Sequence, residues 1–138
     1  MVNIETLASQ LEEQGKNIEN GFLFEVNPIP GEVEVLQIIV EDREELPIFV
    51  STSEEQILCI AYLFKNEEIK KDKIDEMNKA MLATNISMPL SSFALVDEQY
   101  VIFGALSVNS SLEDVIHEIE ILSSNTTEAI EAMSEYLV

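Results

Sequence analysis

Cationic side chains are scarce in this sequence: seven lysines and arginines stand against 27 aspartates and glutamates, a formal net charge of -20 over 138 residues. A field of that sign repels nucleic-acid phosphates and anionic lipid headgroups, so neither is expected as a ligand. It favours cationic partners and keeps the chain in solution. Cysteine occurs once, as Cys59, which excludes an internal disulfide. Only four glycines are present (Gly15, Gly21, Gly31 and Gly104), too dispersed to form a phosphate-cradling loop. No G-x-S-x-G turn exists to expose a nucleophilic serine. No apolar run approaches the roughly 20 residues that cross a bilayer. The start, Met1-Val2-Asn3-Ile4-Glu5, lacks the basic and then apolar pattern of a secretory leader. With the lone cysteine, this gives a cytoplasmic expectation.

Hydrophobic residues make up 46% of the chain, enough for a real core despite the charge. The length suits one domain spanning residues 1–138. Charge is uneven: residues 65–79 hold five acids and five bases, whereas residues 80–138 hold nine acids and no base.

The apolar spacing changes along the chain. Ile4, Leu7, Ala8 and Leu11 form a helical stripe behind Asn3, a candidate N-cap, with Gly15 as the stop. Phe22, Phe24 and Val26 then alternate with Leu23, Glu25 and Asn27, predicting a strand. Pro28-Ile29-Pro30-Gly31 reads as a turn. Strands are expected over 33–40 and over 47–51, the latter with Pro47 at its start or on an edge. Ile57 to Phe64 is the most hydrophobic run and reads as a buried strand, with a short buried helix as the alternative. Residues 67–84 read as a helix with Ile74, Met77, Met81 and Leu82 on one face, Asn85 as C-cap and Pro89 beyond. Phe93–Val96 and Tyr100–Leu106 form a hairpin around Asp97-Glu98-Gln99. Ser110-Ser111-Leu112-Glu113-Asp114 caps a last helix carrying Val115, Ile116, Ile119 and Leu122, which Ser123-Ser124-Asn125 is expected to interrupt. This order implies an α+β fold: a largely antiparallel sheet of five or six strands, with helices at the N-terminus, the middle and the C-terminus.

Candidate chemistry is thin. Glu113, His117 and Glu120 are spaced by four and three residues, which puts them on one helical flank and offers carboxylate and imidazole ligands to a divalent metal. A metal-dependent enzyme using these three is the alternative functional reading; the competing one is a solvated flank. A Ser-His-Asp triad would have to use His117, which has no serine in a nucleophile-like turn nearby. Asp42, Glu44 and Glu45 lack the spacing of a calcium loop. Cys59 lies in the most apolar run and reads as an inert buried thiol. The five methionines read as core filler, although Met81, Met88 and Met133 would face a partner if the sheet left a patch uncovered. No catalytic, cofactor-binding or metal residue is therefore assigned.

Several blocks resemble the YjfI-like family of bacterial proteins: Pro47-Ile48-Phe49-Val50-Ser51 with Glu54-Glu55-Gln56-Ile57-Leu58-Cys59, Met88-Pro89-Leu90-Ser91-Ser92-Phe93, and Tyr100 to Ser111 continuing through Glu113-Asp114-Val115-Ile116-His117-Glu118-Ile119-Glu120. The resemblance spans nearly the whole chain and carries over no functional residues. It implies genes often placed beside a homologue of phage shock protein A, a coiled-coil membrane-remodelling protein. The element order α-βββ-α-ββ-α is also similar to that of type III secretion chaperones, which are small, acidic, dimeric protein binders. A strand at 47–51 would be an addition to that order. The expected function is a non-catalytic intracellular protein-binding module, chaperone- or adaptor-like, acting on a phage-shock-protein-A-like partner. A homodimer is expected as well, because Ile57–Phe64 and the 93–106 hairpin hold more apolar residues than one sheet face absorbs. Two chains of this charge repel within a Debye length of about 8 Å, so such a dimer tightens as salt rises.

Overall fold

The structure, a computed structural model, describes residues 3–17 and 21–138; Met1 and Val2 of the leader reading lie outside them. The first helix, α1, runs Ile4–Gly15, and Asn3 caps it by accepting from the backbone N–H groups of Glu5 and Thr6 at 2.8 and 3.3 Å. Four strands follow: β1 (Phe24–Ile29), β2 (Val35–Val40), β3 (Ile48–Thr52) and β4 (Gln56–Lys65). Helix α2 (Ile74–Ser87), the hairpin β5 (Ser92–Val96) and β6 (Gln99–Ser107), and helix α3 (Leu112–Met133) complete the chain. The six strands form one sheet in the order β1-β2-β3-β4-β6-β5, and each neighbouring pair is antiparallel. Strand β3 is the additional strand at 47–51, shifted by one residue, with Pro47 just before it and a place inside the sheet.

Period-two burial sorts each strand into two sides. Leu36, Ile38 and Val40 of β2, Ile48 and Val50 of β3, Ile57, Cys59 and Ala61 of β4 and Ile102 of β6 point inward. Leu7 and Leu11 of α1, Met77 and Met81 of α2, and Val115, Ile119 and Leu122 of α3 meet them in one core. All three helices therefore cover the same side of the sheet.

Several expectations change, among them Leu82, which is exposed while Met77 and Met81 of the same predicted face are buried. Pro28 and Ile29 belong to β1, not to a turn; β1 is an edge strand, where the missing proline N–H breaks no ladder. Residues 66–73 do not join α2 but form two 3-10 turns, Asn66–Glu68 and Lys71–Lys73. There the backbone pairs with the C-terminus instead: the Lys70 N–H donates to the Tyr136 carbonyl at 2.8 Å and the Val138 N–H to the Glu68 carbonyl at 2.9 Å. Asn85 does not close α2, because its Oδ1 accepts from the Phe93 N–H at 2.7 Å. Helix α3 runs unbroken through Ser123-Ser124-Asn125. Side chains that usually compete with the helix backbone have tertiary partners here: Arg43 Nη1 donates to Ser123 Oγ at 3.0 Å, and Asn125 Nδ2 donates to the Pro89 carbonyl at 2.9 Å and to Ser91 Oγ at 3.0 Å.

Candidate binding face

Among the described residues, no helix covers the other side of the sheet. Its outward positions include Ile39 on β2, Phe49 on β3, Leu58, Ile60 and Tyr62 on β4, and Val101 and Phe103 on β6. None of these joins the core between sheet and helices. Register sets them in rows: Phe49 lies beside Ile60 and Ile60 beside Phe103, while Tyr62 lies beside Val101. The Phe49 and Tyr62 rings approach to 5.5 Å between centroids. Tyr62 is 52% exposed, whereas Val101 beneath it is only 1% exposed. The face is thus an apolar floor with an aromatic ridge.

Charge makes this floor unusual for the chain. Across β2, β3, β4, β6 and β5 the outward positions hold no acid, and Lys65 at the end of β4 is their single cation. The acids collect in the turns instead: Glu54 and Glu55 between β3 and β4, and Asp97 and Glu98 between β5 and β6, all exposed. An open hollow of about 460 Å³ joins floor to rim, lined by Ile60, Tyr62, Val96 and Val101 on one part and by Asp97 and Glu98 on the other. Loss of charge from the centre of a patch with a polar rim is the compositional mark of protein interfaces.

The residues considered for chemistry are placed elsewhere. Glu113, His117 and Glu120 are all exposed on α3. Among the described residues no group of three or more histidines, cysteines, aspartates or glutamates is placed to hold a metal ion. Asp42, Glu44 and Glu45 lie in the β2–β3 turn, with Asp42 at φ 70°. Met81 and Met133 are buried and Met88 packs against the core, so none of the three faces outward. Cys59 is fully buried, and burial, then the nearby Glu118 charge, push its thiol up to about 12, far from a nucleophile's range.

The group missed from sequence is Glu118, which sits on the buried side of α3 at 4% exposure, with Oε1 lacking a hydrogen-bond partner. Burial raises its pKa above the ordinary carboxylate value, and the adjacent His117 opposes the shift. The carboxyl fits over Gly104 of β6, where an added Cβ would overlap Glu118 Oε1 and come within 2.9 Å of the Leu90 carbonyl. Helical phase alone marks 118 as lying beside the buried Val115, Ile119 and Leu122, the one available signal.

A six-stranded antiparallel sheet with helices on one side and a bare, acid-poor floor on the other defines an α+β protein built around an open face. The chain belongs to the family described as "Uncharacterized protein conserved in bacteria (DUF2170)", which it matches over residues 1–137. It is 33% identical over 105 residues to YjfI of Escherichia coli (strain K12), covering 73% of this chain and 77% of YjfI. Among solved structures it is similar to YbjN of E. coli, with a TM-score of 0.68 at 15% identity over 99% of this chain and 96% of that one. It is also similar to a chain of the HopA1–SchA chaperone–effector complex, with a TM-score of 0.62 at 14% identity over 95% and 99%. At those identities the likeness is one of fold.

Proposed function

We propose that this protein is a non-catalytic protein-binding module, chaperone- or adaptor-like, that holds a basic and apolar segment of a partner against the outer face of its sheet. The observation that carries the reading is the acid-free apolar floor of Phe49, Ile60, Tyr62, Val101 and Phe103, rimmed by Glu54, Glu55, Asp97 and Glu98 on a chain of net charge -20. Apolar side chains of the partner would bury on the floor while its lysines and arginines meet the rim. The first contributes affinity; the second contributes on-rate and orientation. The fold shared with a chain of a chaperone–effector complex supports the chaperone side of the reading. The gene neighbourhood implied by the YjfI-like resemblance supports a phage-shock-protein-A-like coiled coil as the partner, and a cytoplasmic setting with it.

Calorimetric titration of the purified chain with that coiled-coil protein tests the reading. Saturable binding is expected, weaker at high salt and abolished by Tyr62→Glu with unchanged circular dichroism. Binding that Tyr62→Glu leaves intact would remove the floor from the account. No binding would remove this partner.

A further inference from the structure

A second exposed apolar surface differs from the first in its charge. Residues 80–96 run through the second half of α2, the following loop and β5 without one charged side chain, in a chain that is 25% charged. The preceding residues 65–79 balance five acids with five bases. The whole stretch from 65 to 96 is therefore neutral on a molecule of net charge -20. On it Leu82 is 69% exposed and Ile86 is 91% exposed, one helical turn apart on the same side of α2. Leu90 and Leu95 are exposed nearby. A groove of about 210 Å³ lies between α2 and β5, lined by Met81, Leu82, Phe93, Leu95 and Tyr100. Large apolar side chains gathered in this way mark a contact surface.

Charge selects the occupant. A basic partner is attracted to the acid-rimmed floor of the sheet and gains no such attraction at a neutral patch. An acidic partner is repelled by the rest of the chain. A second copy carries the same -20 and can approach closely only where acids are absent. At the outer floor two copies would set Glu54, Glu55, Asp97 and Glu98 against their own duplicates. Along residues 80–96 no such conflict arises, and a two-fold contact matches a neutral apolar patch with itself. We infer that the protein forms a two-fold homodimer in which Leu82 and Ile86 of one α2 pack against those of the other, with Leu95 at the rim. Strand β5 is an edge of the sheet, yet the Asn85 side chain already occupies the Phe93 N–H at 2.7 Å. That bond takes up one of the edge donors β5 would need to extend its ladder into a second sheet, which favours a contact through helix side chains.

The dimer uses a surface separate from the proposed partner face, and the two are told apart by variants at exposed positions. Sedimentation of the purified chain at micromolar concentration, at low and at high salt, should give twice the 15.5 kDa chain mass, with tighter association at high salt. Ile86→Glu should weaken dimerisation by at least about thirtyfold, as loss of a central apolar anchor does, with circular dichroism unchanged and partner binding retained. Tyr62→Glu should remain dimeric. A monomer at both salts would overturn the inference, as would a dimer that survives Ile86→Glu or one that dissociates in Tyr62→Glu.

Discussion

Gly104→Ala is the sharpest perturbation of the packing between α3 and the sheet. The glycine sits on β6 opposite Cys59, on the inward side, where Glu118 of α3 fills the space a side chain would need. An added methyl would overlap Glu118 Oε1 and lie 2.9 Å from the Leu90 carbonyl. The Glu118 carboxyl is buried; the carbonyl belongs to a loop that Asn125 holds at the Pro89 carbonyl and at the Ser91 hydroxyl, on either side of Leu90. Overpacking of this kind costs about 1–3 kcal/mol. With both neighbours in the way, the expected cost is about 2 kcal/mol, or roughly 8 °C in Tm for a chain of this size. In a Glu118→Ala background the carboxyl conflict is gone and the Leu90 conflict remains, so the same substitution should cost about half as much, a coupling of about 1 kcal/mol. Urea denaturation of the four members of the cycle measures this. Additive costs, or a Gly104→Ala variant as stable as the parent, would refute the contact.

Three further outcomes follow from the same interior. The folded pKa of Glu118 is raised, so its contribution to stability is fully present below the unfolded pKa and is lost as pH rises through the folded one; Glu118→Gln should gain on the parent across that window in urea midpoints, and parallel pH curves would count against burial of the carboxyl. With its thiol fully buried and pushed up to about 12, Cys59 should react with a disulfide reagent at neutral pH only as fast as the chain opens, and immediate stoichiometric labelling of native protein would contradict its position. Asn125→Ala should destabilise by about 1–3 kcal/mol because the buried Ser91 hydroxyl and the Pro89 carbonyl lose their donor; a stabilised variant, as alanine's helix propensity alone would give, would mean that those bonds are not made.

Strand positions and their antiparallel pairing were legible because they rest on local alternation and short connections. The Asn3 cap and the Ser111 cap, whose Oγ accepts from the Asp114 N–H at 3.1 Å, were equally local and stand as read. Where long-range partners decide, local rules misled. Ser123-Ser124-Asn125 has the composition of a helix break, yet Arg43 and the 89–91 loop engage those side chains. Residues 66–73 carry helix-forming lysines and glutamates, yet they pair with the C-terminus. Leu82 has the spacing of a core residue, but α2 lies at the β5 edge of the sheet and Leu82 is exposed on its far side. The excess of apolar residues on Ile57–Phe64 and the hairpin was visible from the start. Which surfaces expose that excess depends on all three helices choosing the same side of the sheet, and no stretch of sequence states that choice.

Photo-cross-linking tests most directly whether the outer floor is the binding face. A benzophenone side chain placed at Tyr62 or at Phe49, in cells of the native host, should capture one distinct partner protein, while the same probe at Glu131 on the exposed acidic side of α3 should capture none. Adducts formed from Glu131 and absent from both floor positions would contradict the account.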